Sequence, residues 1–250
     1  MIVHPSEMPS RGLDKNSETI NIPSLGFQDL LLYTREYEAA KTPVHKYLVD
    51  FKWIREKISN WDKINLIDLD YVILLFKKCM ISDKNEFSVE KACSECGEIN
   101  ELNLEVTQIS YALPIEYMLG GVVRLGPDNR EYEFYAPNLA VFKSVVDKVS
   151  RSGRCKDIDL IKLIAFFPEF EKYPNKYEAL VLNAKQDDIV VLSTLKSIYL
   201  RSEVNIKYHC SKCKGGNWSL RVNTLIDNVF LSLVKSAGST ESKISVKQIC

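Results

Sequence analysis

The sequence predicts an α+β fold, mainly helical, with two pseudo-repeated units in which a helix leads into a cysteine hairpin. Three observations support this. Two Cys-x-x-Cys pairs, Cys93/Cys96 and Cys210/Cys213, stand in matching contexts, each between two segments that alternate apolar and polar. Each pair follows an apolar stretch of helical spacing, Asp68 to Met80 before the first and Asp187 to Leu200 before the second. Helical spacing also accounts for most of the apolar residues elsewhere.

At 250 residues the chain has room for one large domain or two small ones. The pattern predicts four parts: an extended arm over 1–26, a first helical and knuckle unit over 27–150, a second over 151–235, and a flexible tail over 236–250. The arm is polar and carries two Pro-Ser-x-Gly bends, Pro9-Ser10-Arg11-Gly12 and Pro23-Ser24-Leu25-Gly26. In such a bend proline presets φ and glycine supplies a positive φ. With little apolar content of its own, the arm is expected to lie across a partner, with Ile20, Ile22 and Leu25 as its anchors.

Thr42-Pro43 opens a helix, a capping side chain followed by proline at the first position, and Val44, Tyr47, Leu48, Phe51 and Ile54 then recur along one face. Trp61 falls in the loop beyond. The helix from about Asp68 carries Leu69, Val72, Ile73, Leu75 and Phe76. Val122 to Leu125 and Tyr132 to Tyr135, joined by Gly126-Pro127-Asp128-Asn129, predict a hairpin. Pro137-Asn138 opens a helix through Val149. Asp157 to Phe167, Asn175 to Ala184, and a helix capped by Asp187-Asp188 complete the second half, and the tail after Gly238 is rich in Ser, Lys and Thr.

Each cysteine pair forms the tip of a hairpin, with Gly97 and Gly215 placed to supply the positive φ a knuckle needs. Two knuckles supply four thiolates, the ligand set of a closed tetrahedral zinc site, so one structural zinc held by Cys93, Cys96, Cys210 and Cys213 is expected. More than a hundred residues separate the pairs, well beyond the spacing of a compact zinc ribbon, and a duplicated fold would bring the equivalent tips together. Reduced thiols or a redox pair without metal are the alternative. A thioredoxin-like site fits less well, since a strand-like segment follows each pair where that site has a helix. Cys79 lies in an apolar helix, Cys155 in a polar turn and Cys250 at the last position; this odd count of seven lacks the spacing of a secreted disulfide framework.

Thirty-three basic residues balance thirty-three acidic ones, and aromatics are not interleaved with Lys and Arg, so a nucleic-acid partner is not expected. Lys207, Lys212, Lys214 and Arg221 read more simply as edge protection on a hairpin than as a basic patch. No leader or bilayer-spanning stretch is read, which predicts a soluble cytoplasmic protein. Nucleotide-binding, metalloprotease and nucleophile-elbow motifs are absent, so neither an enzyme nor a small-molecule substrate is expected. His45 reads as a solvent-facing helix residue. His209 adjoins a ligand but should face away from it, because neighbouring strand residues point to opposite faces. Asp68/Asp70 and Asp187/Asp188 stand at helix starts, where carboxylates cap amides and oppose the dipole.

Two segments carry a resemblance. Ile22-Pro23-Ser24-Leu25-Gly26, and Phe87-Ser88-Val89-Glu90-Lys91-Ala92-Cys93-Ser94-Glu95-Cys96 with Leu102 to Ile109 after it, resemble the baseplate hub assembly proteins of T-even-like tailed phages over most of residues 20–110. The resemblance implies a protein that helps to build the central hub of a contractile tail through protein contacts. Phage hub proteins would be its partners, Ile22, Pro23, Ser24, Leu25 and Gly26 a contact segment, and the host cytoplasm its place of action. The length of the chain favours an assembly factor that leaves over a permanent subunit of the virion baseplate. A zinc-stabilised nucleic-acid-binding or regulatory module is a third reading.

Overall fold

The computed structural model describes residues 1–10, 12, 18–81, 86–105, 120–152, 157–199, 203–207, 209–215 and 217–221. Among these are eight α-helices and four two-stranded antiparallel sheets, an α+β fold in which helix predominates. The predicted tail over 236–250, Cys155 and Cys250 lie outside the described residues.

The chain divides into two compact units, Met1–Ile73 with Tyr111–Ser202, and Leu74–Ser110 with Glu203–Cys250. This differs from the sequential halves read from the sequence, because both cysteine hairpins fall in the second unit. An isolated two-stranded hairpin is marginal in water, so two that meet at their tips are better supported than two kept apart.

The first unit begins with β1 (Ile2–Val3) paired antiparallel to β2 (Ile20–Asn21), and here the structure corrects the free arm. Val3, Met8, Ile20 and Ile22 are all buried. The Met1 amino group donates to the Ile22 carbonyl at 2.6 Å, and Ser10 donates to Asp68 through both its N–H and its hydroxyl, each at 2.7 Å. Few apolar residues stand near one another in this segment, and its hydrogen bonds reach distant residues: besides Ser10 with Asp68, Asn60 Nδ2 donates to Thr19 O at 2.9 Å. Gly26 is also corrected: its backbone is extended and it is the N-cap of α1 (Phe27–Ala39), whereas Gly12 does take the positive φ, at 67°.

The sequence reading missed α1. It buries Tyr33 and Tyr37 on one side while Phe27, Leu31 and Leu32 stay exposed, so its apolar residues mark no single stripe. Against it lies α2 (Pro43–Lys57), whose Thr42 cap accepts the His45 N–H at 3.2 Å as expected. Tyr33 meets Trp53 edge to face and its hydroxyl bonds Asp50, while Glu36 accepts from Lys52 at 2.7 Å and from the Trp53 indole at 3.0 Å. Lys52 holds the Glu36 carboxyl below its ordinary range. Trp61 opens a short 3-10 turn, and a second such turn, Leu66–Asp68, precedes α3 (Leu69–Ile81).

Strands β3 (Glu86–Ala92) and β4 (Ile99–Glu105) form the first cysteine hairpin. The hairpin β5 (Gly121–Leu125) and β6 (Arg130–Phe134) follows where predicted, in the first unit. Helices α4 (Leu139–Ser152), α5 (Ile158–Phe166), α6 (Pro168–Lys172), α7 (Pro174–Leu182) and α8 (Gln186–Tyr199) complete that unit. Their core is aromatic: Phe51 on Phe142, and a chain of contacts running Phe166, Tyr199, Phe134, Phe167, Phe170 and Tyr177. The remaining strands, β7 (Glu203–Lys207) and β8 (Asn217–Arg221), form the second cysteine hairpin.

Of the acidic residues expected as caps, Asp188 does cap the start of α8 through Lys185 N–H, while Asp70 is held by tertiary partners instead. Asp70 accepts the Tyr47 hydroxyl at 2.6 Å and the Lys162 ammonium at 2.8 Å, and Lys162 also lies over the Tyr47 ring. Asp188 accepts from Gly126 N–H at 2.9 Å and from Lys185 N–H at 2.8 Å, fixing the β5–β6 turn to the start of α8. Each of these carboxylates is buried. Away from water a carboxylate needs charged or polar partners, and tertiary neighbours supply them.

Candidate metal centre

Both cysteine hairpins are built by the same local rule. In the first, the ladder ends at Ala92 opposite Ile99; Cys93 N–H then donates to Glu98 O at 2.8 Å, and Gly97 N–H to Cys93 O at 2.9 Å. In the second, Cys210 N–H donates to Gly215 O at 3.1 Å and Lys214 N–H to Cys210 O at 3.0 Å. The two bonds join the same relative positions in each knuckle. The positive φ falls on Gly97, at 72°, and on Lys214, at 57°. Gly215, the expected position, does not take it; a Cβ there would meet the Glu95 carboxylate at 2.1 Å, the end of an exposed side chain that is able to move aside. Lys214 in this conformation costs on the order of 1 kcal/mol.

The four sulfurs come together. All lie within 4.8 Å of one another, with Cys93 Sγ 3.7 Å from Cys213 Sγ and Cys96 Sγ 3.5 Å from Cys210 Sγ. A tetrahedron with metal–sulfur bonds of about 2.3 Å has edges of about 3.8 Å, so the four thiolates fit a single ion of zinc's size. Both of these short pairs join opposite knuckles. Exchanging Cys93 with Cys210 and Cys96 with Cys213 turns one short pair into the other, and it also exchanges the two buried cysteines, Cys93 and Cys210, with each other. Among the described residues this is the one group of three or more His, Cys, Asp and Glu side chains close enough to share a metal.

The surroundings act unequally on the clustered thiols: against a backbone hydrogen bond at each, burial and hydrogen bonds among the cysteine side chains push Cys213 up to about 12 and Cys96 up as well. Backbone N–H groups of Cys213 and Lys212, aided by the Cys96 and Asn100 side chains, hold the Cys210 thiol down to about 6 against its burial. Neither pair opens a helix, so the thioredoxin arrangement is absent here. His209 is exposed, with Nδ1 3.3 Å from Lys214 O, and it is not one of the clustered ligands. Lys212 reaches Glu98 at 3.5 Å across the exposed rim, a contact of little energetic weight.

The sequence reading missed Asn100. This buried residue spans the two knuckles: its Oδ1 accepts from Ser211 N–H at 3.1 Å and from Ser211 Oγ at 2.8 Å, and its Nδ2 donates to Glu98 O at 2.9 Å and to Cys210 Sγ at 3.6 Å. A signal was available, because Cys-Ser-x-Cys-x-x-x-Asn occurs twice, ending at Asn100 and at Asn217.

Of the expected contact segment, Ile22 is buried, Pro23 and Leu25 are half-buried, and Ser24 and Gly26 are exposed. Among the described residues no helix is long and apolar enough to cross a membrane. No family model, curated protein or solved structure matches this chain.

Proposed function

We propose that the protein is a non-enzymatic assembly factor for the central hub of a contractile-tail baseplate, stapled by one structural zinc ion on Cys93, Cys96, Cys210 and Cys213. The observation that carries the zinc reading is the convergence of four sulfurs within 4.8 Å from two hairpins 114 residues apart. Bound there, zinc would take all four ligands from protein, the closed pattern of a structural site; catalytic zinc keeps one position open for water or substrate. Its binding free energy would then belong to folding. The matched hydrogen bonds of the two knuckles, each hairpin following a helix in the chain (α3 and α8), support duplication of a helix and hairpin unit.

Action through protein contacts is supported by apolar side chains left on the surface: Phe27, Leu31 and Leu32 on α1, and Val181, Leu182, Ile189 and Val190 around the α7–α8 turn. The equal numbers of acidic and basic residues disfavour a nucleic-acid partner. The hub as partner rests on the resemblance of residues 22–26 and 87–96 to phage hub assembly proteins, and on that alone.

Deleting the coding sequence from the phage tests the reading. Hub components should accumulate as soluble precursors and baseplates should fail, with the protein absent from finished particles by mass spectrometry. Its presence in those particles would make it a permanent hub subunit, and normal hubs without it would overturn the proposal.

A further inference from the structure

We propose that Asn100 is the positioning residue of the metal centre, seating the second knuckle on the first so that the four sulfurs converge before an ion arrives. The proposal rests on the reading of the cysteine cluster as a metal site and goes beyond it to ask what assembles the cluster.

One amide makes four contacts that no other polar group of the described site combines. Its Nδ2 donates to Glu98 O, the same carbonyl that closes the first knuckle by accepting Cys93 N–H. It also donates to Cys210 Sγ, a ligand of the second knuckle. Its Oδ1 takes both donors of Ser211, the residue between the second knuckle's cysteines that follows Cys210 directly. All four hydrogen-bonding positions of the side chain are thereby filled, and at 3 % exposure water cannot substitute for any of them cheaply. Apart from the sulfur pairs themselves, the other polar contacts between the knuckles among the described residues, Lys212 with Glu98 and Cys213 with Glu95, are exposed.

Asparagine suits this position by its chemistry. Aspartate would keep the acceptor for Ser211, but it would lose the donor to Cys210 and set a negative charge beside thiolates. An apolar side chain would lose both functions. The N–H···S bond draws charge from the Cys210 thiolate, and groups of this kind outside the ligand shell orient ligands and tune the metal.

The test uses the full chain stripped of metal under reducing conditions and reloaded with zinc or cobalt(II) ions. Zinc affinity is read by competition with a chromophoric chelator, and the cobalt form by its visible and thiolate charge-transfer bands. Asn100→Ala should weaken zinc binding by about 10–100-fold and shift the cobalt bands. Asn100→Asp should weaken binding at least as much, although it keeps the acceptor, and Ser211→Ala should give a smaller loss in the same direction. Asn100 variants with lowered thermal stability but native zinc affinity and cobalt spectrum would show a merely structural role and overturn the proposal. If Asn100→Ala does not fold, Ser211→Ala decides, and unchanged affinity there overturns it. A native chain that takes up neither ion refutes the metal reading itself and this proposal with it, which is distinct from a native chain that binds zinc with variants that bind equally well.

Discussion

Replacing Ile22 by alanine separates the two roles open to the N-terminal segment. As an anchor on a partner, Ile22 would add nothing to the stability of the free protein. In the structure it is 0 % exposed, and its backbone is held at both ends of the peptide unit, the N–H by Met1 O at 2.8 Å and the carbonyl by the Met1 amino group. Alanine keeps both backbone bonds, so the substitution reads the side chain alone. It removes three carbons, worth about 2.4 kcal/mol at about 0.8 kcal/mol per buried methylene. The cavity left behind brings the expected loss to about 2–5 kcal/mol. For a chain of this size that is a fall in Tm of about 4–20 °C. Urea denaturation at constant m-value measures it, with Ser24→Ala as the exposed control expected within about 0.5 kcal/mol of native. An Ile22→Ala protein as stable as native but unable to support hub assembly would refute the burial argument and restore the free contact arm.

Metal removal and two electrostatic perturbations give further checks. Cys93→Ser and Cys210→Ser should each abolish uptake of a single zinc and lower thermal stability by similar amounts; retention of half the metal by either variant, measured by metal analysis, would indicate two separate sites. Lys162→Ala should cost about 3–5 kcal/mol in urea denaturation, because it strips the ammonium from the buried Asp70 carboxylate, whereas Lys162→Met combined with Asp70→Leu should recover most of that loss. The Tyr47 and Tyr177 phenols are pushed up, by burial first and then by the Asp70 and Asp157 charges respectively. Above about pH 10 the unfolded chain therefore binds fewer protons than the native one, so the stability these tyrosines contribute is complete below that pH and lost as it rises. Ultraviolet titration should show two tyrosinates forming only together with the loss of helical ellipticity, and ionisation of all twelve tyrosines in a folded protein would contradict this.

Features set by neighbours in sequence were legible. Thr42-Pro43 opens α2 because cap and first turn lie within four residues, and Gly126-Pro127-Asp128-Asn129 turns β5 into β6 because its dihedral preferences are its own. Each knuckle closes within six residues, so the cysteine spacing alone announced two tips with paired thiols. Even there the detail escaped: the positive φ of the second knuckle falls on Lys214, and not on Gly215, which the Glu95 carboxylate of the other hairpin approaches. Composition misled wherever burial comes from afar. The first 26 residues read as polar and free, yet four of their apolar side chains are covered and Ser10 is held by Asp68, 58 residues on. Asp70 looked like a cap because its partner Lys162 stands 92 residues away, and the cost of burying either charge alone is visible only once they meet. The metal centre divides in the same way. Local backbone chemistry determined that each hairpin would present two sulfurs, whereas only tertiary structure could bring one pair within 4.8 Å of the other and set Asn100 between them, since no residue within either knuckle encodes the surface that the other hairpin presents.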